Sequence, residues 1–570
     1  MWVLGIAASH NGAVALTHDG RVVAAIQAER LSRIKRQSIR LNDERGLLSR
    51  CVQYCLDQAG IACSQLHAIA ISSPWRISRM KEQDLFERIG GVPSKYRGTV
   101  YVPHHFAHME YILHYGSLQP GIVLIVDGSG SHETDRAIFG IEEKVHPGCV
   151  AHVDPRGKET LSAYVFDGND PSLIFRFSPP VAATEECNRH SNGLLQSIGH
   201  YWRWAGNYCC GSTSAAGKVM GAAAFGDRAR YSDLNILSLA TDGRLSVNYT
   251  KLAESFERPN VFGQDISGDR HYADVAAMVQ SDTQRVLLEL LGFLQAKHRA
   301  HALYYSGGVA LNVVANEAIV RSGLFSDVVL NGSAEDNGTA IGAALAASNQ
   351  VLGRVCERQT DHYGRYYTSQ EILSAIVESG CAYEVLGDHE VCSKVASLIC
   401  ADNVVGWFQG RSEFGPRALG NRSILANPAN PHMKWVLDLH MKRRDRYRPY
   451  APAMMAQLAS QYFDMQGTSP AMMREGRVLS NHFPAVTHVD GSARVQTVER
   501  ADNPLFYELL HELLRIAGLP MVLNTSFNLP GEPIVESPRD AISCFTNGAM
   551  EYLCMGNYLV SRRKPDVQVR

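Results

Sequence analysis

The sequence has almost no net charge: 55 Lys and Arg stand against 57 Asp and Glu, leaving -2 over 570 residues. A chain so balanced sets up no global field toward nucleic acid or an anionic bilayer, so any anion it binds has to be met by local clusters. It has no uncharged apolar run near the roughly 20 residues that span a bilayer. Its opening, MWVLGIAASHNGAVAL, lacks the basic segment and small-residue cleavage pattern of a secretory signal. The 13 cysteines include no C-x-x-C pair, which argues against a zinc ribbon or a disulfide framework and for reduced thiols in a cytosolic core. There is no Walker pattern G-x-x-x-x-G-K-[ST], no repeat of solenoid period and no low-complexity tract. These absences lead us to expect a soluble, cytoplasmic chain with no nucleic-acid partner and no membrane partner.

What is present is a composition of 45% hydrophobic and 20% charged residues, ordinary for a folded protein, over a length beyond that of a single core. The first 30 residues read as strand, turn at His10-Asn11-Gly12, strand, turn at Asp19-Gly20, strand. Two further buried-type strands, Gly121–Val126 and Ala302–Tyr305, run into polar glycine-rich turns at Asp127-Gly128-Ser129-Gly130 and Ser306-Gly307-Gly308. Asn331 to Gly338 leads into TAIGAALAAS, a helix of small residues able to pack closely on a neighbouring backbone. The pattern predicts an α/β protein with a first domain over 1–350, a polar linker over 351–368 and a second domain over 369–570. The weak likeness of the two strand-then-glycine units points to a duplicated nucleotide-binding fold of the actin and sugar-kinase kind. Residues 85–100 and 155–200 are expected to be loops shaping a substrate pocket.

Several groupings carry chemistry. In His104-His105-Phe106-Ala107-His108, positions i and i+4 of a helix differ by roughly 40° and i and i+3 by roughly 60°, so His104 and His108 share a face best and His105 less well. Such a pair either ligates a metal or forms a polar helix face. Asp127 and Asp336, each opening a glycine-rich turn, would complete a mixed nitrogen and oxygen set, although either alone also suits a cap or turn. Ser306-Gly307-Gly308 lets backbone N–H groups approach a phosphate or ribose closely, or is an ordinary α/β turn. Phe414-Gly415-Pro416-Arg417 to Asn421-Arg422 sets two arginines in a rigid loop. The run Lys442 to Tyr450 is either a solvated face or a folded anion pocket. With Arg494 on a strand and the Asn524-Thr525-Ser526-Phe527-Asn528 cluster at another strand end, these basic residues fit a triphosphate or acyl phosphate.

GRSEFGPRALGNRSILA, DGSARVQTV, LNTSFNLPGEPIV, SGGVALN, GKVMGAAAFG and the HH-x-x-H segment occur here in one order, and that order resembles the NodU-type and antibiotic-biosynthesis O-carbamoyltransferases over nearly the whole chain. The resemblance implies an N-terminal actin-like (ASKHA) domain similar to the tRNA threonylcarbamoyl transferase, and a C-terminal YrdC-like domain. The second domain would join carbamoyl phosphate and ATP, with its Mg2+, into carbamoyl-adenylate, and the first would pass the carbamoyl group to a hydroxyl of a small molecule. By the same resemblance His104, His108, Asp127 and Asp336 would hold ferrous iron or another divalent metal. Arg417, Lys442, Arg448, Arg494, Ser526 and Asn528 would bind carbamoyl phosphate and nucleotide phosphates. Gly128, Gly307, Gly308 and Asn312 would hold the adenylate, and His10 would lie near the acceptor as the catalytic residue.

Two positions depart from the family pattern. Asn11 stands where the family often has aspartate, so proton acceptance at that turn must rest on His10. Ala222-Ala223-Ala224-Phe225 lacks the proline and tyrosine usual there, which alters the acceptor pocket. A tRNA-modifying threonylcarbamoyl transferase is the rival enzyme, opposed by the absent basic stripe. An ATP-driven binding module is the rival of another class, opposed by the second cluster of arginines. The acceptor and the oligomeric state are not written in the sequence.

Overall fold

The computed structural model describes residues 1–41, 46–75, 82–91, 97–116, 118–180, 195–260, 266, 268–355, 360–445 and 447–562. Two compact units emerge, Met1–Ala28 with Arg36–Gln359, and Glu29–Lys35 with Thr360–Arg570. The change from one to the other falls inside the polar stretch 351–368, of which 356–359 lie outside the described residues. The assignment of Glu29–Lys35 to the second unit has no counterpart in the sequence pattern.

The first unit contains two sheets of one topology. In the first, β1 (Trp2–Ala7), β2 (Ala13–His18), β3 (Arg21–Gln27), β4 (Ala68–Ser72) and β5 (Thr99–Val102) lie in the order β3-β2-β1-β4-β5. β2 runs antiparallel to both β1 and β3, while β1, β4 and β5 run parallel. The second is built from β6 (Gly121–Val126), β7 (Lys144–Val153), β8 (Leu161–Phe166), β9 (Pro171–Ser178), β12 (Ala302–Ser306) and β13 (Asp327–Leu330), in the order β13-β12-β6-β8-β9-β7. A separate hairpin pairs β10 (Leu237–Leu239) with β11 (Leu245–Val247). In the second sheet β6 takes the place of β1, β8 and β9 form the antiparallel side, β12 and β13 the parallel side, and β7 is an added edge. The unit is thus a duplication with mixed sheets, and equivalent strand ends recur at equivalent places.

Each fifth strand is followed by a helix, His104–Tyr115 after β5 and Gly338–Leu352 after β13, and the two helices pack backbone to backbone. A Cβ added at Gly342 would lie 1.7 Å from the Ala107 carbonyl oxygen, and one at Gly5 would lie 2.0 Å from that of Ala340. Only glycine allows that approach, which is why the small-residue helix reads as it does. Residues 85–100 and 155–200 are not the expected loops: they contain the end of the helix Glu82–Ile89, the start of β5, and β8 and β9. The alternating and buried LSAYVF and SLIFRF segments belong to the sheet, where their apolar surface is covered on folding. Residues 92–96 and 181–194 of those stretches lie outside the described residues.

The second unit is a ten-stranded mixed sheet of β14 (Ala382–Val385), β15 (Val405–Phe408), β16 (Arg422–Ala426), β17 (Ala451–Met455), β18 (Phe463–Asp464), β19 (Arg474–Val478), β20 (Ser492–Val498), β21 (Met521–Ser526), β22 (Tyr552–Met555) and β23 (Tyr558–Ser561), ordered β14-β23-β22-β15-β16-β21-β17-β20-β19-β18. Both faces are buried. Along β16, Ile424 joins the core with Phe408, Met454, Val495 and Leu523, while Leu425 joins that with Trp407, Val522 and the helix Pro504–Ala517. Among the described residues no helix is long and apolar enough to cross a membrane.

Candidate functional sites

The duplication brings together five side chains from equivalent ends of the two sheets. His10 follows β1 and Asp127 follows β6, the matching first strands; His104 and His108 begin the helix after β5, and Asp336 precedes the helix after β13. His104, His108, Asp127 and Asp336 are all buried and offer ligand atoms within 4.8 Å of one another. His104 Nε2 lies 3.2 Å from His108 Nε2, 3.2 Å from Asp127 Oδ2 and 3.5 Å from Asp336 Oδ1. Donors about 2.1 Å from one ion sit roughly 3.0–3.5 Å apart in octahedral or tetrahedral geometry, so these spacings suit a single small divalent cation. Among the described residues two buried nitrogens, His104 Nδ1 and His108 Nδ1, have no hydrogen-bond partner, so the convergent Nε2 atoms carry the polar function of both rings.

The electrostatics fit the same picture. Burial works against a charged His104, yet Asp336 and Asp127 raise it to about 10. Burial and the neighbouring charge of His104 push His108 down to about 3. Burial would raise both carboxyls, but His104 draws Asp127 below the ordinary range, and His10 with His104 draw Asp336 well below it. A proton on His104 therefore stands where a metal cation can stand. His105 is turned away: its Nδ1 is 2.8 Å from Ser162 Oγ, and burial lowers it to about 3.

His10 differs in being 64% exposed along its side chain, with Nδ1 3.1 Å from Asp336 Oδ2. The charge of Asp336 raises it to about 9. That hydrogen bond leaves Nε2 as the outward nitrogen. Asn11 donates its Nδ2 to Glu335 Oε2 at 2.7 Å, so the turn meets a carboxylate from position 335 in place of the one absent at 11. Glu335 was not singled out from the sequence, although its place beside Asp336 was the available signal.

The glycine turns are engaged largely with Asp127. Its Oδ1 accepts from the N–H of Gly128 at 2.7 Å and of Gly308 at 3.4 Å, which fixes the carboxylate. Gly307 has φ 96°, and a Cβ there would lie 2.3 Å from the Val126 carbonyl oxygen, so no other residue fits. Asn312 caps the helix Val313–Arg321 by accepting from the Ala315 N–H and exchanges hydrogen bonds with Gln280. Its side chain is a structural cap in this arrangement. Ala222 and Ala223 are buried, and a Cβ at Gly226 would lie 2.0 Å from the Ala273 carbonyl oxygen, so this segment packs on the helix Arg270–His298.

The second unit gathers positive charge. Arg417 lies on the loop before β16, Arg448 before β17 and Arg494 on β20, and these strands are close in sheet order. Burial and then the charges of Arg417, Arg444 and Arg448 depress Arg494 well below the usual arginine range. Burial and Arg444 likewise lower Arg448. Among the described residues Arg494 Nε is buried without a partner. Arg444, absent from the sequence-based site, is held by Asp438 at 3.3 Å and stacks 4.2 Å over the Tyr450 ring. The run 442–450 is therefore no solvated face: Lys442, Tyr447 and Tyr450 are buried, while Arg446 lies outside the described residues.

Lys442 donates to Ser526 O at 2.5 Å, Asn528 O at 3.0 Å and Asn528 Oδ1 at 3.0 Å. Ser526 Oγ in turn donates to Asn528 Oδ1 at 2.6 Å. Burial and, after it, the charge of Arg444 disfavour the ammonium and lower it to about 7. Of the loop's two arginines, Arg422 proves structural. Its guanidinium lies 3.6 Å over the Phe408 ring and donates to the carbonyls of Gln409 and Gly410. The same loop is braced by Glu413, whose buried carboxylate accepts from the N–H groups of Leu419, Asn421 and Arg422.

Comparison with known proteins bears on both units. Residues 2–88 and 94–345 match the family described as carbamoyltransferase N-terminus, and residues 396–562 match carbamoyltransferase C-terminus. An uncharacterized Synechocystis protein is 31% identical, with 98% of this chain and 96% of that protein covered. The nodulation protein NolNO of Sinorhizobium fredii is 30% identical over 97% of this chain and 79% of its own length. Nodulation protein U of Bradyrhizobium diazoefficiens is 27% identical over 98% and 96%. With matched segments in both units and a relative of this identity along almost its full length, the chain belongs to the carbamoyltransferase family and is a carbamoyltransferase.

Proposed function

We propose that the protein is an ATP-dependent O-carbamoyltransferase working in two steps, the first in the arginine pocket of the second unit and the other at the histidine and aspartate cluster of the first. The observation that carries this reading is the cluster of Arg417, Arg444, Arg448 and Arg494, in which burial and the three neighbouring cations depress Arg494 well below the usual arginine range, a charge excess that a bound anion offsets. In the first step water cleaves carbamoyl phosphate to carbamate and phosphate. A carbamate oxygen then attacks the α-phosphorus of ATP, supplied with Mg2+, and pyrophosphate leaves. Arginine forks suit these phosphate oxygens, while Lys442 holds Ser526 and Asn528 at the rim of the pocket. On this reading the second unit is the YrdC-like, adenylate-forming domain.

The second step attaches the carbamoyl group to a hydroxyl of a small molecule and releases AMP. The first unit is read as an actin-like domain that receives the adenylate at the turns of Gly128, Gly307 and Gly308, and Asn312 supports the neighbouring helix. His104, His108, Asp127 and Asp336 would hold a divalent metal, with ferrous iron expected. When bound, that ion supplies Lewis acidity near the reacting groups. Asp336 uses one oxygen in the cluster and the other to fix the His10 tautomer, so His10 Nε2 is placed to accept the proton of the acceptor hydroxyl. Neutralising Asp336 would lessen the pull that holds His10 at about 9 and free the ring to act as a base. We read the protein as cytoplasmic, with no nucleic-acid or membrane partner.

Incubating the full chain with ATP, carbamoyl phosphate and a panel of hydroxyl compounds tests this. AMP, pyrophosphate and a carbamoylated acceptor are expected by chromatography and mass spectrometry. ADP and phosphate as the nucleotide products would overturn the adenylate route.

A further inference from the structure

The segment Glu29–Lys35, ERLSRIK, follows β3 directly yet folds with Thr360–Arg570. Its two arginines reach main-chain carbonyls of two loops at the arginine pocket. Arg30 is 2% exposed and donates Nη2 to the carbonyl of Gly415 at 2.6 Å, two residues before Arg417. Gly415 has φ 114°, so the chain turns there through a conformation that positions the next residues. Arg33 donates Nη1 to the carbonyl of Ile534 at 2.8 Å and Nη2 to that of Pro533 at 2.9 Å, and its Nε lies 3.6 Å from Asp540 Oδ1. The adjacent Glu532 carbonyl accepts from Asn528 Nδ2 at 2.7 Å, and Val535 N–H donates to the Phe527 carbonyl at 2.9 Å. The hold of Arg33 therefore passes in a few residues to the loop of Ser526 and Asn528.

We propose that Arg30 and Arg33 are positioning residues of the activating pocket: a strap from the first part of the chain grips the two loops that present Arg417 and the Ser526–Asn528 turn. The inference rests on the reading of that pocket given above. Like charges brought close repel, so loops bearing them spread unless something other than the charges sets their spacing. Guanidinium forks on main-chain carbonyls supply such a restraint, since they act on the backbone whatever side chains the loops carry. A consequence is that the activating site is completed by residues lying inside the transfer half of the sequence.

The test uses the full chain with Arg33→Ala, Arg33→Lys and Arg30→Met. Three quantities are read: carbamoyl phosphate-dependent pyrophosphate release from ATP, carbamoyl transfer from supplied carbamoyl-adenylate, and the melting temperature. Arg33 is 28% exposed, so its truncation leaves the core filled. Arg33→Ala is expected to raise KM for carbamoyl phosphate about tenfold, the loss of a charged hydrogen-bonded fork, with transfer and melting near wild type. Arg33→Lys keeps the charge but cannot span two carbonyls with one planar group, so it should resemble Ala. A KM for Arg33→Ala within about twofold of wild type, or full recovery in Arg33→Lys, overturns the inference. So does a rise in KM that merely tracks loss of melting temperature across the three variants, which marks a role in folding alone. Wild-type protein that releases no pyrophosphate overturns the reading of the pocket itself and the inference with it.

Discussion

In the first unit, two buried carboxylates face two buried imidazoles, with a third imidazole at the rim, and the protein's own groups settle the charge by placing a proton on His104. In the second, Arg417, Arg444, Arg448, Arg494 and Lys442 share one region, and the carboxylate of Asp438 is already engaged by Lys434, Tyr450 and Arg444. The first arrangement is nearly balanced and invites exchange of a proton for a metal cation. The second is overcharged and invites an anion. The contrast teaches that one chain prepares two kinds of chemistry with opposite electrostatics.

On the proposed two-step reading, the largest effect expected is the separation of the half-reactions. Asp336→Ala removes a proposed metal ligand and the partner of His10, and should lower carbamoyl transfer by on the order of 10³ together with bound metal. Pyrophosphate release from ATP and carbamoyl phosphate should persist, as read by phosphate-coupled assay and elemental analysis. Loss of both activities in this variant would erase the distinction between the sites. Arg494→Ala should do the reverse, lowering pyrophosphate release by about 10²-fold while still transferring from supplied carbamoyl-adenylate.

A smaller effect sharpens the comparison through stability. Removing one of several crowded cations relieves repulsion, so ligand-free Arg494→Ala is expected to melt higher than wild type by ~3 °C, equivalent to about 1 kcal/mol. Asp127→Ala, which strands His104 beside a single carboxylate, should melt lower. Inorganic pyrophosphate at ten times its Kd should stabilise the wild type by about 1.4 kcal/mol and the arginine variant far less. Differential scanning calorimetry that found both ligand-free variants equally destabilised would remove the claimed imbalance.

The smallest effect concerns protons. Lys442 sits at about 7 because burial and Arg444 lower it from its ordinary value. The sign follows: at pH 8 the folded protein holds it mostly neutral, and an anion entering the pocket raises its pKa, so binding takes up a fraction of a proton, about 0.5. The unfolded lysine stays protonated at this pH, so burial costs stability that falls further as pH drops toward 7 and levels off below it. Calorimetric titration of pyrophosphate in buffers of differing ionisation enthalpy reads the uptake directly. Proton release would show that Lys442 is not part of the anion's surroundings.

Much of this was legible in residue order. Periodicity and turns located β1 to β3, β6 and β12, because alternating apolar residues and glycine turns act locally. The i, i+4 spacing put His104 and His108 on one face, and the small-residue run foretold a helix in backbone contact. Motif order carried the family. Expectation failed where distant segments decide the outcome. SLIFRF read as loop because its sheet partner β8 is needed to show its buried edge. Arg417 and Arg422 look alike in the loop, and only the Phe408 ring and the carbonyls beneath Arg422 separate a structural arginine from one in the charged cluster.

The sequence by itself determined β1 to β3, β6 and β12, the glycine turns, the histidine pair and the membership of the family, since each rests on neighbours in the chain. Tertiary structure alone decided that the two sheets repeat one topology, that His10 meets Asp336, and that Glu335 answers the amide of Asn11. It alone placed Glu29–Lys35 with the second unit and brought Arg444 among the pocket cations. The physical reason is common to all of these: burial and charge coupling depend on distance in space, and a pairing such as Asn11 with Glu335 crosses 324 residues that local pattern cannot span.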